Sequence, residues 1–379
     1  MNKQSKNSHH IVVVGAGILG ASIAFHLILR GAQVTIVDAA EPGKGTTRIS
    51  FAWLNAFGKN PFHYHDINRR SMEMWERFVR RIGAVDAVTW GGELKGARTE
   101  AGARELAERV EKVQEWGYPS RLVDAYEVKE LEPNLNVEQM AAIAYTDIEG
   151  HVDTQQVVQS CMKALGAQGA EICIHTPVTG FQFSGGNSAM VEAVQIGDIT
   201  IPCDGVVLAG GPDMSALATM AQIKLPVYHT FGATILTEPI APLFQTIAIY
   251  HPSVDSQPVV NFRQFRDGTV MVQGGSTDNV EVGDRGKSDE EVAQILADAA
   301  THLPALKDVR IKAIQRGRRP IPQDGHPILG FSESVANLYL ATTHSGITLA
   351  PIIGELAAIE IVDRTAVDLF TPYRPARFQ

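Results

Sequence analysis

The sequence contains little cysteine, no surplus of basic residues and few long uncharged runs. Its cysteines, Cys161, Cys173 and Cys203, are odd in number and lack the spacing of metal ligands. This argues against a disulfide-stapled secreted domain and indicates the reduced thiols of a cytoplasmic protein. The formal net charge is −9, and no basic stretch offsets it. Nucleic acid is therefore not an expected partner.

One uncharged run, residues 11–29, raises the question of a membrane anchor or a signal sequence, because Lys3 and Lys6 precede it. Glycines and His26 interrupt this run, and a strand-like VTIVD follows within a few residues. No other stretch approaches the length of a membrane span. We therefore expect a cytoplasmic protein with no membrane span and with a disordered leader at residues 1–8.

The same run contains a strand, a glycine-rich turn and a helix. The β-branched residues 11–14 predict a buried parallel strand, and the apolar spacing from residue 18 predicts a helix. Of the three glycines in the G-x-G-x-x-G turn, the first allows a tight turn and the second lets backbone N–H groups approach a pyrophosphate. The third lets the helix lie close to the sheet. The turn and the first helical residues are Gly15, Gly17, Ile18, Leu19 and Gly20.

Asp38 stands at the end of the second apolar run, residues 34–37. A carboxylate at this place can accept hydrogen bonds from a ribose hydroxyl and disfavours a 2′-phosphate, so NADP is not an expected ligand. The partial positive charge at the helix N-terminus favours a dianionic linker. Together, the strand, the glycines, the helix and the acid predict a dinucleotide site.

The loop at residues 43–55 is rich in small and hydroxyl residues. Thr46, Thr47 and Ser50 can donate hydrogen bonds to phosphate or ribose, and Arg48 can neutralise charge. The alternative is a polar surface loop with a helix cap. Beside the glycine motif, the second wall of a nucleotide site is the favoured interpretation.

Histidines offer no metal site. His63 and His65 lie two positions apart in a segment with helical spacing, so they do not share a helix face. We predict packed or solvated roles for both.

Three later segments extend the pattern. The predicted strand at 205–208 ends in Gly210 and Gly211, where the backbone of a doubly wound sheet approaches a ligand; an ordinary strand-to-helix turn is the alternative. Residues 226–273 alternate around turns and predict an antiparallel sheet.

Residues 310–330 carry an arginine cluster beside a proline-rich turn, although surface arginines are usually only solvated. The cluster consists of Arg316, Arg318 and Arg319.

Taken in order, these pieces resemble the D-amino-acid oxidase, glycine oxidase and sarcosine oxidase family of FAD-dependent amine oxidoreductases. The resemblance covers nearly the whole chain. It rests on GAGILG with Asp38, the TTRIS loop, DIEGHVD, VVLAGGP, GRRPIPQDGHPILG and HSGITLAP, and the last two in this order are the most specific.

The resemblance implies an α/β architecture, α+β when the whole chain is counted. A Rossmann-like FAD-binding domain would carry an inserted antiparallel-sheet substrate domain. The expected FAD-binding segments are 9–85, 146–215 and 315–379, and the expected substrate-domain segments are 86–145 and 216–314.

The resemblance also implies non-covalent FAD and its contacts. The glycine loop and Asp38 would hold the ADP half, the TTRIS loop would lie near the pyrophosphate and flavin, and Val178 would meet the adenine through its backbone. The turn before the last helix would direct N–H groups at the flavin C2 carbonyl, where negative charge gathers on reduction. The implied cofactor-binding residues are Gly15, Gly17, Ile18, Leu19, Gly20, Asp38, Thr46, Thr47, Arg48, Ser50, Val178, Gly210, Gly211, Gly346, Ile347 and Thr348.

The implied reaction is hydride transfer from the carbon that bears the amine to flavin N5, which oxidises the C–N bond of a D-amino acid, glycine or an N-methyl amino acid. Arg319 matches the arginine that pairs with the substrate carboxylate in glycine-oxidase-like members, a contact suited to a guanidinium fork. His344 and, more weakly, Tyr250 complete the implied catalytic set.

Several positions depart from the sarcosine-oxidase branch. Phe51 and His344 stand where that branch has the arginine and lysine of its carboxylate clamp. The flavin-tethering cysteine is replaced around Gly317, and the histidine that tethers flavin in dimethylglycine-type members is replaced near Ile49. The lysine linked to oxygen activation is missing from residues 268–274, so oxidase and dehydrogenase both stay open.

Two other interpretations stay open. The chain can be the flavin-binding subunit of a heteromeric amine dehydrogenase complex that passes electrons to a partner or a quinone. With this interpretation, an oligomer or a complex with a partner subunit is an open alternative to a single chain. An NAD-dependent dehydrogenase is the third choice, and the absence of a second nucleotide motif counts against it.

Overall fold

The computed structural model describes residues 9–184, 189–252, 255, 259–275 and 289–378. The leader at residues 1–8, predicted to be disordered, lies outside the described residues.

The described residues form strands at β1 (His10–Val14), β2 (Gln33–Val37), β3 (Trp53–Leu54), β4 (Val88–Trp90), β5 (Glu93–Ala97), β6 (Ser120–Val123), β7 (Ala142–Thr146), β8 (Gly150–Val152), β9 (Glu171–Cys173), β10 (Val178–Phe183), β11 (Val191–Ile196), β12 (Ile199–Pro202), β13 (Gly205–Leu208), β14 (Val227–Thr237), β15 (Ile249–His251), β16 (Val259–Gln264), β17 (Val270–Gly275), β18 (Ile311–Pro322), β19 (Ile328–Phe331) and β20 (Leu338–Thr342). The α-helices in the same residues are α1 (Ile18–Leu29), α2 (Thr46–Ile49), α3 (Phe62–Ile82), α4 (Glu100–Glu115), α5 (Ala125–Leu131), α6 (Thr154–Ala167), α7 (Met214–Met220), α8 (Asp289–His302) and α9 (Gly346–Ala358).

One sheet has six strands in the order β19-β20-β13-β1-β2-β9. Its strands are parallel except for the β19–β20 pair. The apolar β1 and β13 lie in its centre, because residues buried on both faces of a parallel sheet must be hydrophobic throughout. The predicted doubly wound pattern is confirmed by this sheet.

The uncharged run at residues 11–29 is explained by burial inside the protein. Strand β1 and helix α1 account for it, and α1 packs against α6 and α9. Ser22 Oγ donates a hydrogen bond of 2.7 Å to the Ala350 carbonyl of α9, which brings the two helices into close contact. No helix in the described residues is long and apolar enough to cross a membrane.

A second sheet has eight strands in the order β18-β14-β17-β16-β15-β5-β7-β6. All its pairs are antiparallel except β15 with β5, so the antiparallel sheet predicted for residues 226–273 is confirmed. β14 and β18 pair over their whole length, which places Arg319 opposite Thr230. Helix α8 covers one face of this sheet next to β17.

Two small three-stranded sheets, β10-β11-β12 and β3-β8-β4, complete the fold. The second of these brings the loop that follows α2 against the DIEGHVD segment, because Trp53 pairs with His151. None of the three cysteines, all within the described residues, forms a disulfide.

Candidate active site

The glycine loop between β1 and α1 is built by close backbone approach. Gly15 has a φ of +107°, and a Cβ there would lie 2.4 Å from the Ala209 carbonyl oxygen. A Cβ at Gly20 would lie 1.8 Å from the Gly15 carbonyl oxygen. At Gly17 a Cβ would meet only Thr47 Oγ1, at 3.3 Å, so the backbone here borders open space. The roles predicted for the first and third glycines thus match their surroundings.

Asp38 closes the loop from the end of β2. Its carboxylate accepts hydrogen bonds from the backbone N–H of Ala16 at 2.6 Å and of Ala40 at 2.8 Å. A carboxylate has about four lone-pair positions, so ribose hydroxyls can still donate to it.

The hydroxyl groups of the TTRIS segment hold this corner of the fold together. Thr47 Oγ1 accepts a hydrogen bond of 3.1 Å from Ile18 N–H, and Thr46 Oγ1 donates one of 2.6 Å to the Arg318 carbonyl. Ser50 Oγ accepts a hydrogen bond of 3.0 Å from Ala52 N–H. Both threonines and Ser50 therefore have a structural partner as well as a face on the cavities described next.

Two adjoining cavities lie where β1, β13 and β20 end. The first, of about 80 Å³, lies between the glycine loop and the N-terminus of α9, and the second, of about 220 Å³, extends from it toward the eight-stranded sheet. The first is lined by Gly17, Ile18, Leu19, Thr46, Thr47, Ser50, Ala209, Gly211, Pro320, Ala341, Thr342, Thr343, His344, Gly346 and Ile347. The second is lined by Thr46, Ser50, Phe51, Ala52, Trp53, Asn55, Lys59, Gln273, Arg319, His344, Ser345, Ile347 and Thr348.

Arg319 enters the larger cavity from β18. Its Nε is buried and has no hydrogen-bond partner in the described residues, and burial lowers its pKa. Gly232 on the neighbouring strand makes room for it, since a Cβ there would lie 3.3 Å from that Nε. Arg318, by contrast, forms an ion pair of 2.8 Å with Asp213 at the surface.

His344 reaches both cavities from the turn after β20. Its side chain is open to the cavities. Desolvation by the surrounding protein is the main cause that lowers its pKa, and the positive charges of Lys59 and Arg319 add to the shift, which brings the pKa to about 3. The imidazole is therefore neutral at physiological pH and can exchange hydrogen bonds without adding charge.

Lys59 is a charged lining residue that the sequence did not single out. It follows β3 in a polar loop, and its Nζ donates a hydrogen bond of 2.9 Å to Ser345 Oγ, which also lies 2.7 Å from the hydroxyl of Tyr64. Burial lowers its pKa to about 8. A lone loop lysine carries no sequence pattern that would reveal this contact, which joins positions 286 residues apart.

A buried ionic cluster supports the wall formed by Trp53. Trp53 Nε1 donates a hydrogen bond of 3.2 Å to Glu93 Oε2, and Lys95 Nζ forms an ion pair with Glu93 and lies 3.6 Å from Glu149 Oε2. Burial raises the pKa of Glu93 well above its ordinary value. Burial also opposes ionisation of Glu149, but Lys95 and several hydrogen-bond donors lower its pKa. Lys95 is thus shared by two buried carboxyl groups, of which Glu149 ionises more readily than Glu93.

Tyr250, the weaker member of the predicted catalytic set, lines neither of the two cavities. Its side chain is 1% exposed and stacks on Phe262 inside the core of the eight-stranded sheet. Successive side chains of a strand point to opposite faces of the sheet, so the neighbours of Tyr250 in β15 face the other way.

Other predicted contacts lie at the margins. Arg48 borders a separate surface cavity with Glu41 and Gln155, Val178 begins β10, and Gly210 N–H points at Met214 Sδ, 3.3 Å away. Their roles at the cofactor stay predictions.

Comparison with known proteins agrees with this geometry. The family described as "FAD dependent oxidoreductase" (DAO) matches residues 10–359. The chain belongs to this family. It is 27% identical over 375 residues to a glycine oxidase of Geobacillus kaustophilus, with 95% of each chain covered. It is 25% identical over 381 residues to the B subunit of an opine oxidase of Agrobacterium tumefaciens, with 97% of each covered.

The fold is that of solved DAO-family enzymes. The structure of L-proline dehydrogenase from P. horikoshii superposes with a TM-score of 0.86 at 23% identity and covers 98% of both chains. The expected α/β architecture is thus confirmed, and the protein is an FAD-dependent oxidoreductase of amines or amino acids.

The residues present fit FAD. The backbone at Gly17 borders open space, and Asp38 has free lone pairs. Helix α9 begins directly after its N-cap residue Ser345, beside both cavities. This arrangement can hold a pyrophosphate at the glycine loop and a polar ring edge at α9. These groups of the chain are therefore suited to the cofactor that defines the family.

Proposed function

We propose that this DAO-family enzyme oxidises the C–N bond of a small amino acid or secondary amine of the D-amino acid, glycine or N-methyl amino acid type. The observation that carries the proposal is Arg319, a guanidinium with an unpartnered buried Nε in the larger cavity. A desolvated guanidinium fork suits a carboxylate, which would satisfy its donors and its charge together.

Each part of the cavity has a separate task in this proposal. Arg319 orients the substrate through its carboxylate, so that the C–N bond faces the smaller cavity. Neutral His344 can accept or donate a hydrogen bond beside the amine, while Phe51 and Trp53 provide an apolar wall that limits water. When bound, FAD supplies the two-electron acceptor that no amino-acid side chain offers.

The N-terminus of α9 serves the cofactor side. The first residues of this helix, Gly346, Ile347 and Thr348, lie at the cavities, and Thr348 Oγ1 fixes their position by donating a hydrogen bond of 2.8 Å to the Trp53 carbonyl. Backbone N–H groups at a helix N-terminus stabilise negative charge without reorganisation.

The experiment is an anaerobic titration of the purified protein with glycine, N-methyl amino acids and D-amino acids, followed in the visible spectrum. Bleaching of the flavin band by an amine that carries a carboxylate is the expected result. Admitting air afterwards separates an oxidase, which regains colour quickly, from a dehydrogenase. If no amine bleaches the flavin, the proposal is wrong.

We propose that FAD is bound without a covalent link. The resemblance places the tethering positions around Gly317 and near Ile49, which face each other, since a Cβ at Gly317 would lie 2.7 Å from Ile49 Cδ1. Neither residue offers a nucleophile. Acid precipitation should release all flavin into the supernatant; flavin that stays with the polypeptide would contradict this.

A second candidate is the flavin-binding subunit of a heteromeric amine dehydrogenase complex. It is favoured by similarity over nearly the full length to a protein named as one subunit of an opine oxidase. Purification of the tagged chain from its native host distinguishes the two: stoichiometric partner chains, required for bleaching by amines, support the second candidate.

A further inference from the structure

Two cations enter the larger cavity from different parts of the fold. Lys59 belongs to the loop after β3 and is held on Ser345, the residue that precedes α9. Arg319 comes from β18 and lies over Gly232 in the eight-stranded sheet. Both act on the same imidazole, because the charges of Lys59 and Arg319 each lower the pKa of His344.

Neither cation is neutralised within the described part of the chain. No aspartate or glutamate lines the cavity, and Arg319 and Lys59 form no ion pair with a described acidic side chain. Glu149 and Glu93 attract Lys59 only at longer range, and both lie against Lys95, which forms an ion pair with Glu93 and is 3.6 Å from Glu149.

Such a site carries a surplus of positive charge. Withdrawing an unpaired cation from water costs free energy that an anionic partner restores. The partly positive N-terminus of α9 adds to the surplus, and neutral His344 does not reduce it. One carboxylate on Arg319 would leave Lys59, at the α9 end of the cavity, without an anion.

We infer that the preferred substrate is a secondary amine that carries two carboxylates, one bound by Arg319 and the other by Lys59. This inference rests on the proposed function and narrows it to N-(carboxyalkyl) amino acids. Lys59 is then a specificity-determining residue, which selects for a second anionic group on the far side of the nitrogen. The chemical step is unchanged: the C–H and N–H groups of the substrate lose two electrons and two protons in total, and the C–N single bond becomes a C=N double bond.

The test separates binding from turnover by using thioethers in place of amines. Thiodiacetate has two carboxylates and methylthioacetate has one, and neither contains a C–N bond that can be oxidised. Their dissociation constants for the FAD-loaded enzyme are measured from the change in the flavin absorption spectrum. We expect thiodiacetate to bind about 10- to 100-fold more tightly, as charge-assisted hydrogen bonds predict.

Variants assign that preference to Lys59. Lys59→Met should remove most of it and leave methylthioacetate binding within about threefold, whereas Lys59→Arg should retain it because the cation remains. Lys112→Met is the matched control, since Lys112 pairs with Glu115 on the exposed surface of α4. FAD content and melting temperature confirm that each variant is folded.

Anaerobic flavin reduction by iminodiacetate and by sarcosine completes the experiment. The inference is overturned if Lys59→Met weakens the binding of both thioethers equally, or if the wild-type enzyme binds methylthioacetate more tightly than thiodiacetate. In either case, flavin reduction by sarcosine would leave the proposed function intact. The wild-type comparison needs no variant to fold. Failure of every amine to bleach the flavin overturns the proposed function and, with it, the substrate assigned here.

Discussion

Thr47 caps a helix that begins 29 residues before it in the chain: its Oγ1 accepts a hydrogen bond of 3.1 Å from Ile18 N–H. The residue in the N-cap position of α1 is Gly17, which has no side chain for this task. The loop that forms the second wall of the cavities therefore also completes the first turn of the dinucleotide-binding helix.

Replacing Thr47 by valine should destabilise this corner by about 1 kcal/mol, the usual cost of a lost N-cap acceptor. The shape is kept and only the oxygen is removed, so both the melting temperature of the apoprotein and the affinity for FAD should fall. Thr47→Ser, which keeps the hydroxyl, is the control and should stay close to wild type. If valine and serine behave alike, the cap does not matter.

Replacing Gly20 by alanine should disrupt the glycine loop. The new methyl would lie 1.8 Å from the Gly15 carbonyl oxygen, a backbone atom that cannot move aside without displacing the turn. Overpacking of this kind costs about 1–3 kcal/mol, and FAD binding should weaken with it. Gly45→Ala is the matched control, because nothing lies within 4 Å of a Cβ there. FAD titration and thermal unfolding measure both.

Replacing Arg319 by alanine should raise the KM for an amino-acid substrate by about 10- to 100-fold, the value of a charge-assisted carboxylate contact. The dissociation constant for FAD should change far less, because the side chain lines the larger cavity and is absent from the lining of the smaller one. Arg318→Ala removes a surface pair with Asp213 and should leave the KM unchanged. Unchanged kinetics in Arg319→Ala would remove it from the site.

The affinity for thiodiacetate should fall as the pH rises through about 8. Burial lowers the pKa of Lys59 to about 8, so its ammonium is present below that pH and is lost above it. The neighbouring Glu149 and Glu93 favour the charged form and Lys95 opposes it. Above the pKa of the free enzyme, the loss approaches tenfold per pH unit. Lys59→Arg should bind the ligand without this dependence up to about pH 10, and a wild-type profile that is flat from about pH 7 to 9.5 would contradict the prediction.

Local sequence patterns were sufficient for the dinucleotide-binding half. The run at residues 11–14, the three glycines and Asp38 interact over short distances along the chain, so hydrophobic periodicity and glycine spacing predict their strand, turn and helix. The alternation in residues 226–273 likewise predicts an antiparallel sheet, which β14, β16 and β17 form.

Side-chain placement within those elements was less predictable. Tyr250 lies in a strand near the site, yet its ring stacks in the core on Phe262. Which face a strand residue occupies depends on register, and a shift of one residue exchanges the faces. No property of the tyrosine itself distinguishes the two outcomes.

The sequence by itself therefore determined the dinucleotide site and the two kinds of sheet, because both depend on local patterns of apolar residues and glycine. FAD and the domain arrangement followed from the family resemblance. Only the tertiary structure brought Lys59 to Ser345 and placed it in one cavity with Arg319. The charge of a site is the sum over side chains from distant segments, and that sum exists only once the loop after β3 and strand β18 have come together at one cavity.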